Sequence, residues 1–268
     1  MLRNSIAIFF LFLLIFSAQI PAKTTNIPLK TPGILTVCSY SEFKPVSYAK
    51  GEGYEPDMLR AIAKLLGVKI RFIPEKNYEG IWRLPSQKNT LCDISAGGMT
   101  PMQYRRAQGA VFSKTTTHFK QSLLIRTRDY QNGSIRSYND FKNNRRKIGV
   151  VPSTTGEEFA HQRAKENTID LSVFVQYASE SELLPALKQG KIDAIARGEI
   201  GNDYQASIDP QVKTIAKKDY GEKFAFVVDS NNPELLRKLN HSIEKITDHG
   251  KIGFSLWLKD HAIFMKKA

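Results

Sequence analysis

The sequence predicts an α/β protein of two lobes, each a mostly parallel sheet flanked by helices, with a cleft between them. Two observations carry this. Short apolar or alternating runs, which read as strands, are separated by amphipathic runs, which read as helices; that order is the pattern of parallel sheets with helices on both faces. The pattern then restarts near residue 147, and a second α/β unit in one chain implies a second lobe. A cleft between lobes is a favoured place for a small ligand.

The elements follow in order. Arg3 precedes IAIFFLFLLIF and then SAQIPA, which is a positive start, an apolar stretch and a small residue before a cut. The apolar run of 11 residues, Ile6 to Phe16, is short of the ~20 needed to span a bilayer. Residues 1–22 are therefore expected to be a signal peptide, and the rest an exported, periplasmic chain. ILTVC (34–38) reads as a buried strand. A helix is expected from Pro56 to Gly67, with Met58, Ile62, Leu65 and Leu66 on one face. VKIRFIP (68–74) alternates as a strand, YEGIWRLP is a short helix, and CDISAGG holds the third strand. SLLIRT (122–127) is extended. The second unit comprises KIGVV (147–151), a helix from Thr155, LSVFVQY (171–177), a helix from Ser181 and KIDAIA (191–196). FAFVVD (224–229) is a late strand, followed by a helix from Pro233 to the cap Gly250 and a terminal helix with Trp257.

Composition narrows the function. Hydrophobic residues make up 41%, enough for a real core, and the net charge is +13. Apart from KNNRRK (142–147) the cations are scattered, so a solvated basic surface is expected rather than a nucleic-acid stripe. The five histidines lack metal-ligand spacing, and neither a metal nor a cofactor is expected. Cys38 and Cys92 fall near opposite ends of neighbouring strands if these are parallel, ~13 Å apart at ~3.3 Å per residue. A disulfide needs Cα atoms within ~7 Å. The expectation is two buried, unpaired thiols.

Two segments point to an anion. In GGMTPMQYRRAQ (97–108) a helix is expected near Pro101, and Arg105 and Arg106 follow closely although cations are disfavoured at a helix start. They are either surface arginines or an anion clamp. In PSTTGEEF (152–159), Thr154-x-x-Glu157 and Thr155-x-x-Glu158 both match a capping box. A helix therefore begins there, with exposed N–H groups suited to an anion. SYSEFKPVSY, GGMTP and PSTTGEE all follow strand C-termini, where ligands bind in open α/β sheets.

From GILTVCSYSEFKPVSY through GYEPDMLRAIAKLLGVKIRFIP, CDISAGGMTP, KIGVVPSTTGEEFA and ALKQGKIDAIA to NPELLRKLNHSIEKITDHGK, the chain resembles the periplasmic solute-binding proteins of the polar amino acid ABC importers (bacterial extracellular solute-binding proteins, family 3). The resemblance covers nearly all of the chain after residue 22. It implies the type II periplasmic-binding-protein fold, with lobe 1 formed by 30–123 and 221–268 and lobe 2 by 127–216. Two hinge strands, near 123–127 and 216–221, would join them. It also implies the site. An arginine after the Thr-Pro segment grips the ligand carboxylate: a count forward from Thr100 selects Arg105, a count back from Phe112-Ser113 selects Arg106, and the forward count is preferred. Thr100, Thr154 and the amide of Thr155 would share the carboxylate. The Gly98 backbone would lie beside the amino group, and Phe43 and Tyr78 would form aromatic walls. Tyr40 stands where binders of cationic amino acids often carry an acid. The family's ammonium-binding aspartate is replaced by Gly198, so Glu199 is the candidate, with Asp203 behind it.

The implied action is capture of a free amino acid by lobe closure and delivery to an ABC permease, by a monomer without covalent chemistry. A rival on the same fold is a cyclohexadienyl dehydratase, which needs a general acid in the pocket; Glu199, His118 and Lys120 are the candidates.

Overall fold

The structure is a computed structural model and describes residues 27–247. The expected signal peptide, Gly250 and the terminal helix with Trp257 lie outside the described residues.

The first unit runs β1 (Ile34–Tyr40), α1 (Tyr54–Leu66), β2 (Lys69–Glu75), β3 (Ile94–Ala96), the short helix α2 (Gln103–Ala107) and the long β4 (Val111–Arg126). The second runs β5 (Ile148–Val150), α3 (Thr155–Glu166), β6 (Phe174–Gln176), α4 (Glu180–Lys188), β7 (Ala194–Gly198), α5 (Glu199–Ile208) and the long β8 (Val212–Val228). α6 (Pro233–Thr247) follows. Strand order is β2-β1-β3-β8-β4-β7-β5-β6.

Each lobe has a parallel centre. β1 pairs in parallel with β2 and β3, and β5 with β6 and β7. The two centres are joined by β4 and β8, which pair antiparallel along their length with register shifts between Ile215 and Lys218 and between Lys218 and Glu222 on β8. At one end β8 pairs with β3 through Val227 and Val228. At the other, Gln121–Ile125 of β4 pair with β7. The runs expected at 122–127 and 224–229 are thus the ends of strands of 16 and 17 residues.

Alternation places the cores. Leu123 and Ile125 pack in one lobe 2 cluster with Ile148, Val150 and Ala194, whereas Leu124 points to the opposite face, against Leu183, Leu187 and Ile195. In lobe 1, Leu35, Val37, Leu59, Ile62, Phe226, Leu235 and Leu239 form the core. α1 starts two residues before Pro56 and ends at Gly67, which adopts φ +67°; the left-handed turn suits glycine. Its buried stripe is Met58, Leu59, Ile62, Ala63 and Leu66. Leu65 was expected inside but is half exposed, because it sits a further 100° round the helix from Leu66.

The cysteines overturn the expectation of free thiols. Cys38 and Cys92 form a disulfide, with Cα atoms 5.6 Å apart. β3 begins only at Ile94, so Cys92 is not on the extended ladder from which the larger separation follows. The chain bends at Asp93, whose carboxylate accepts the N–H groups of Lys30 (2.7 Å) and Thr36 (2.8 Å). The bend brings Cys92 to Cys38.

Candidate functional site

A cavity lies between the lobes. Lobe 1 lines it with Tyr40, Phe43, Tyr78 and Gly98; the long strands add Phe119 and Phe224; lobe 2 adds Thr154–Gly156, Glu180, Arg197 and Gly198. The strand pleat explains Phe119: it is buried, while its neighbours His118 and Lys120 point to solvent. Phe119 and Phe224 have ring centroids 4.2 Å apart, and Phe43 meets Phe224 edge-on at 6.2 Å.

The loop after β3 is held from below. Gly97 and Gly98 have φ of +132° and +74°, and a Cβ on Gly98 would stand 2.9 Å from the Phe43 ring, so both turn geometry and the close aromatic wall require glycine. Their N–H groups donate to one oxygen of Glu55 at 2.6 and 3.0 Å. Glu55 is fully buried, and desolvation pushes its carboxyl up to about 7 although those two N–H groups pull it down. Its other oxygen has no partner among the described residues, which suits a protonated carboxyl. Above, the Gly98 carbonyl accepts from the Tyr78 hydroxyl at 3.0 Å.

The two adjacent arginines have opposite fates. Arg105 is 0% exposed. Its guanidinium donates to the Thr100 carbonyl (3.0 Å), the Tyr104 hydroxyl (2.9 Å) and, across the lobe boundary, the Ser153 carbonyl (2.8 Å). The rings of Trp82, Tyr78 and Tyr104 surround it at 4.7 to 5.4 Å. Among the described residues no carboxylate pairs with it. Arg106 is exposed and lies over Phe112 at 4.9 Å. The helix expected at Pro101 begins at Gln103, which leaves both arginines in its last turn, where cations are favoured.

On the lobe 2 side, Thr154 caps α3: its hydroxyl accepts from the Glu157 N–H at 3.2 Å and donates to the Val151 carbonyl at 2.8 Å. Of the two capping-box matches the first thus marks the helix start, although Glu157 reaches back to the Ser153 N–H, at 3.1 Å, rather than to Thr154. Thr155 is buried beside it. Thr100 donates to Glu222 at 3.3 Å, and Gln121 donates to the same carboxylate. Burial raises the Glu222 carboxyl above its usual range.

Phe43, Tyr78, Gly98, Thr154 and Thr155 therefore come together on the cavity, with Thr100 and Arg105 packed behind its rim. Glu199 does not join them. Its carboxylate accepts from the Lys120 N–H (3.1 Å) and pairs with Lys217 (3.2 Å), and Asp203 pairs with the same lysine. Arg197, Glu180, Phe119 and Phe224 were not singled out from the sequence. An alternating run at Thr117–Gln121 was the signal for Phe119; nothing local marks Glu180.

Residues 35–148 match the family model described as bacterial extracellular solute-binding proteins, family 3. A probable histidine-binding protein of Campylobacter jejuni subsp. jejuni serotype O:2 is 28% identical over 224 residues, covering 81% of this chain and 80% of that protein. Among solved structures, an ancestral arginine-binding protein bound to arginine aligns with a TM-score of 0.70 at 26% identity, over 85% of this chain and 97% of that one. An ancestral amino acid-binding protein, a precursor of cyclohexadienyl dehydratase, shares the fold with a TM-score of 0.72 at 23% identity, over 85% and 95%. With its two lobes and interlobe cavity, the chain is similar to the bacterial extracellular solute-binding proteins, family 3, whose model it matches over residues 35–148.

Proposed function

We propose that the protein binds a free amino acid reversibly in the interlobe cavity and delivers it, outside the cytoplasm, to an ABC importer. The observation that carries this reading is Arg105: a fully enclosed cation held, among the described residues, by neutral acceptors only. A buried charge without a counter-charge is costly, and a ligand carboxylate supplies the missing anion. The carboxylate takes the place of the Ser153 carbonyl on the guanidinium and gains Thr100 from lobe 1 and the N-terminal amides of α3 from lobe 2. Phe43 and Tyr78 cover the ligand, and Gly98 lies beside its amino group. Because Arg105 and α3 belong to different lobes, binding draws the lobes together about β4 and β8, a hinge closure. Among the described residues no helix is long and apolar enough to cross a membrane, and relatives carry histidine-binding and arginine-binding names.

The dehydratase reading has less support. His118 and Lys120 point to solvent and Glu199 is engaged with Lys217, so none of the three proposed acids faces the cavity. A thermal-shift screen of the protein against the twenty amino acids and prephenate tests both. At least one amino acid is expected to raise the melting temperature by mass action. Turnover of prephenate, or no response to any amino acid, defeats the proposal.

A further inference from the structure

The cavity wall carries one acid and one base. Glu180, at the first position of α4 and 8% exposed, accepts from the Arg197 guanidinium at 2.8 Å through one oxygen; no described residue donates a side-chain hydrogen bond to the other. Arg197 is fixed in place by Asn202 (2.7 Å) and the Gly201 carbonyl (3.1 Å). Beside it stands Tyr40, 1% exposed, whose hydroxyl lies near the Glu180 backbone N–H but has no partner of normal hydrogen-bond geometry among the described residues. A buried hydroxyl so poorly satisfied is costly, and here it lines the same space as Glu180.

We propose that Glu180, with the Tyr40 hydroxyl, receives the ammonium group of the bound amino acid, and that the Glu180–Arg197 pair restricts the ligand to one whose side chain bears no positive charge. This rests on the binding function proposed above. An ammonium needs an anionic acceptor in a dry cavity, and Glu180 is the acid among the residues lining it. Its lone pairs can serve both Arg197 and a ligand N–H. The charge balance then sets the selectivity. Arg105 is met by the ligand carboxylate, and Glu180 is shared by Arg197 and the ammonium. A lysine- or arginine-like side chain would bring another cation with no acid left to meet it. The remaining wall carries no charged side chain and includes the rings of Phe43, Tyr78, Phe119 and Phe224, which suit an uncharged side chain.

The test is calorimetric titration of the protein with leucine, phenylalanine, glutamine, glutamate, histidine, arginine and lysine at pH 8. The tightest binder is then compared with the same carboxylic acid lacking its amino group. The expected result is an uncharged or acidic ligand favoured about tenfold or more over arginine and lysine, and a loss of about tenfold to a hundredfold on removing the amino group. In Glu180→Gln the amino acid should weaken to the level of its amine-free analogue, whose own affinity stays within about threefold. If Glu180→Gln fails to fold by circular dichroism, E180Q/R197Q leaves no unpaired buried charge and carries the same comparison. Arginine or lysine as the tightest ligand overturns the inference, as does an undiminished preference for the amine in the variant. If no amino acid binds the unmodified protein, the binding function itself falls, and that result is distinct from either of these.

Discussion

Behind the lobe 1 rim of the cleft the charge is a single guanidinium with no carboxylate paired to it among the described residues, whereas on the lobe 2 wall the acid and the base already hold each other. Lobe 1 is also the more firmly built at the site. A disulfide ties β1 to the segment before β3, Glu55 holds the Gly97–Gly98 turn, and aromatic rings pack round Arg105. Lobe 2 presents a capped helix end, Thr154–Gly156, and the Glu180–Arg197 pair. Under the proposed function the difference implies an order of events: the first wall would be preorganised for an anion, which lowers the cost of binding, and the second would complete the contacts on closing.

The comparison breaks most directly at Arg105. Arg105→Ala should weaken amino acid binding by at least about a hundredfold, the scale of losing one partner of a buried charged contact, as read by titration calorimetry. Next is the rigidity assigned to lobe 1. Cys38→Ser with Cys92→Ser should destabilise the protein by ~4 kcal/mol, the chain-entropy value for a loop of 54 residues. Denaturant melts with and without reductant measure this, and an unchanged midpoint would remove the disulfide from the argument.

Glu55 gives a pH signature. Its carboxyl ionises near 4.5 when unfolded and near 7 when folded, so between those values the folded chain holds more protons. The stability it contributes is complete below pH 4.5 and is lost as pH rises through 7, about 3 kcal/mol in all. Unfolding free energies at pH 5 and pH 8 should converge by that amount in Glu55→Gln relative to the unmodified protein. Parallel pH profiles would place an ionised carboxylate under the turn instead.

Smaller effects sharpen the lobe 2 side. Thr154→Ala removes the α3 cap and should cost about 1 kcal/mol of stability, with a drop in ligand affinity because the amide end it orders is frayed. Equal affinity in that variant would separate the helix end from the ligand. The smallest effect belongs to Arg106→Ala. An exposed residue lying over Phe112 should change stability by less than about 0.5 kcal/mol and leave binding as it was; a loss here comparable to that of Arg105→Ala would reverse the roles of the two arginines.

Much of the fold was legible because its signals are local. Alternating strands, the Gly67 stop of α1 and the Thr154 cap each depend on residues a few positions apart. The long strands were only half legible. Their apolar ends at 122–127 and 224–229 read as strands, but the middle of β4 and β8 carries Lys, His and Thr on its outer face where it passes between lobes. The disulfide was misread because the bend at Asp93 depends on hydrogen bonds to Lys30 and Thr36, more than fifty residues away.

What the sequence by itself determined is the order of strands and helices, the existence of two α/β units and the loops that face a cleft, since periodicity and capping are properties of neighbouring residues. Only the tertiary structure decided which of two adjacent arginines turns inward, that Glu180 rather than Glu199 lines the cavity, and that the cysteines meet. Each of those depends on what a distant segment places opposite a side chain, and spacing along a chain carries no record of that.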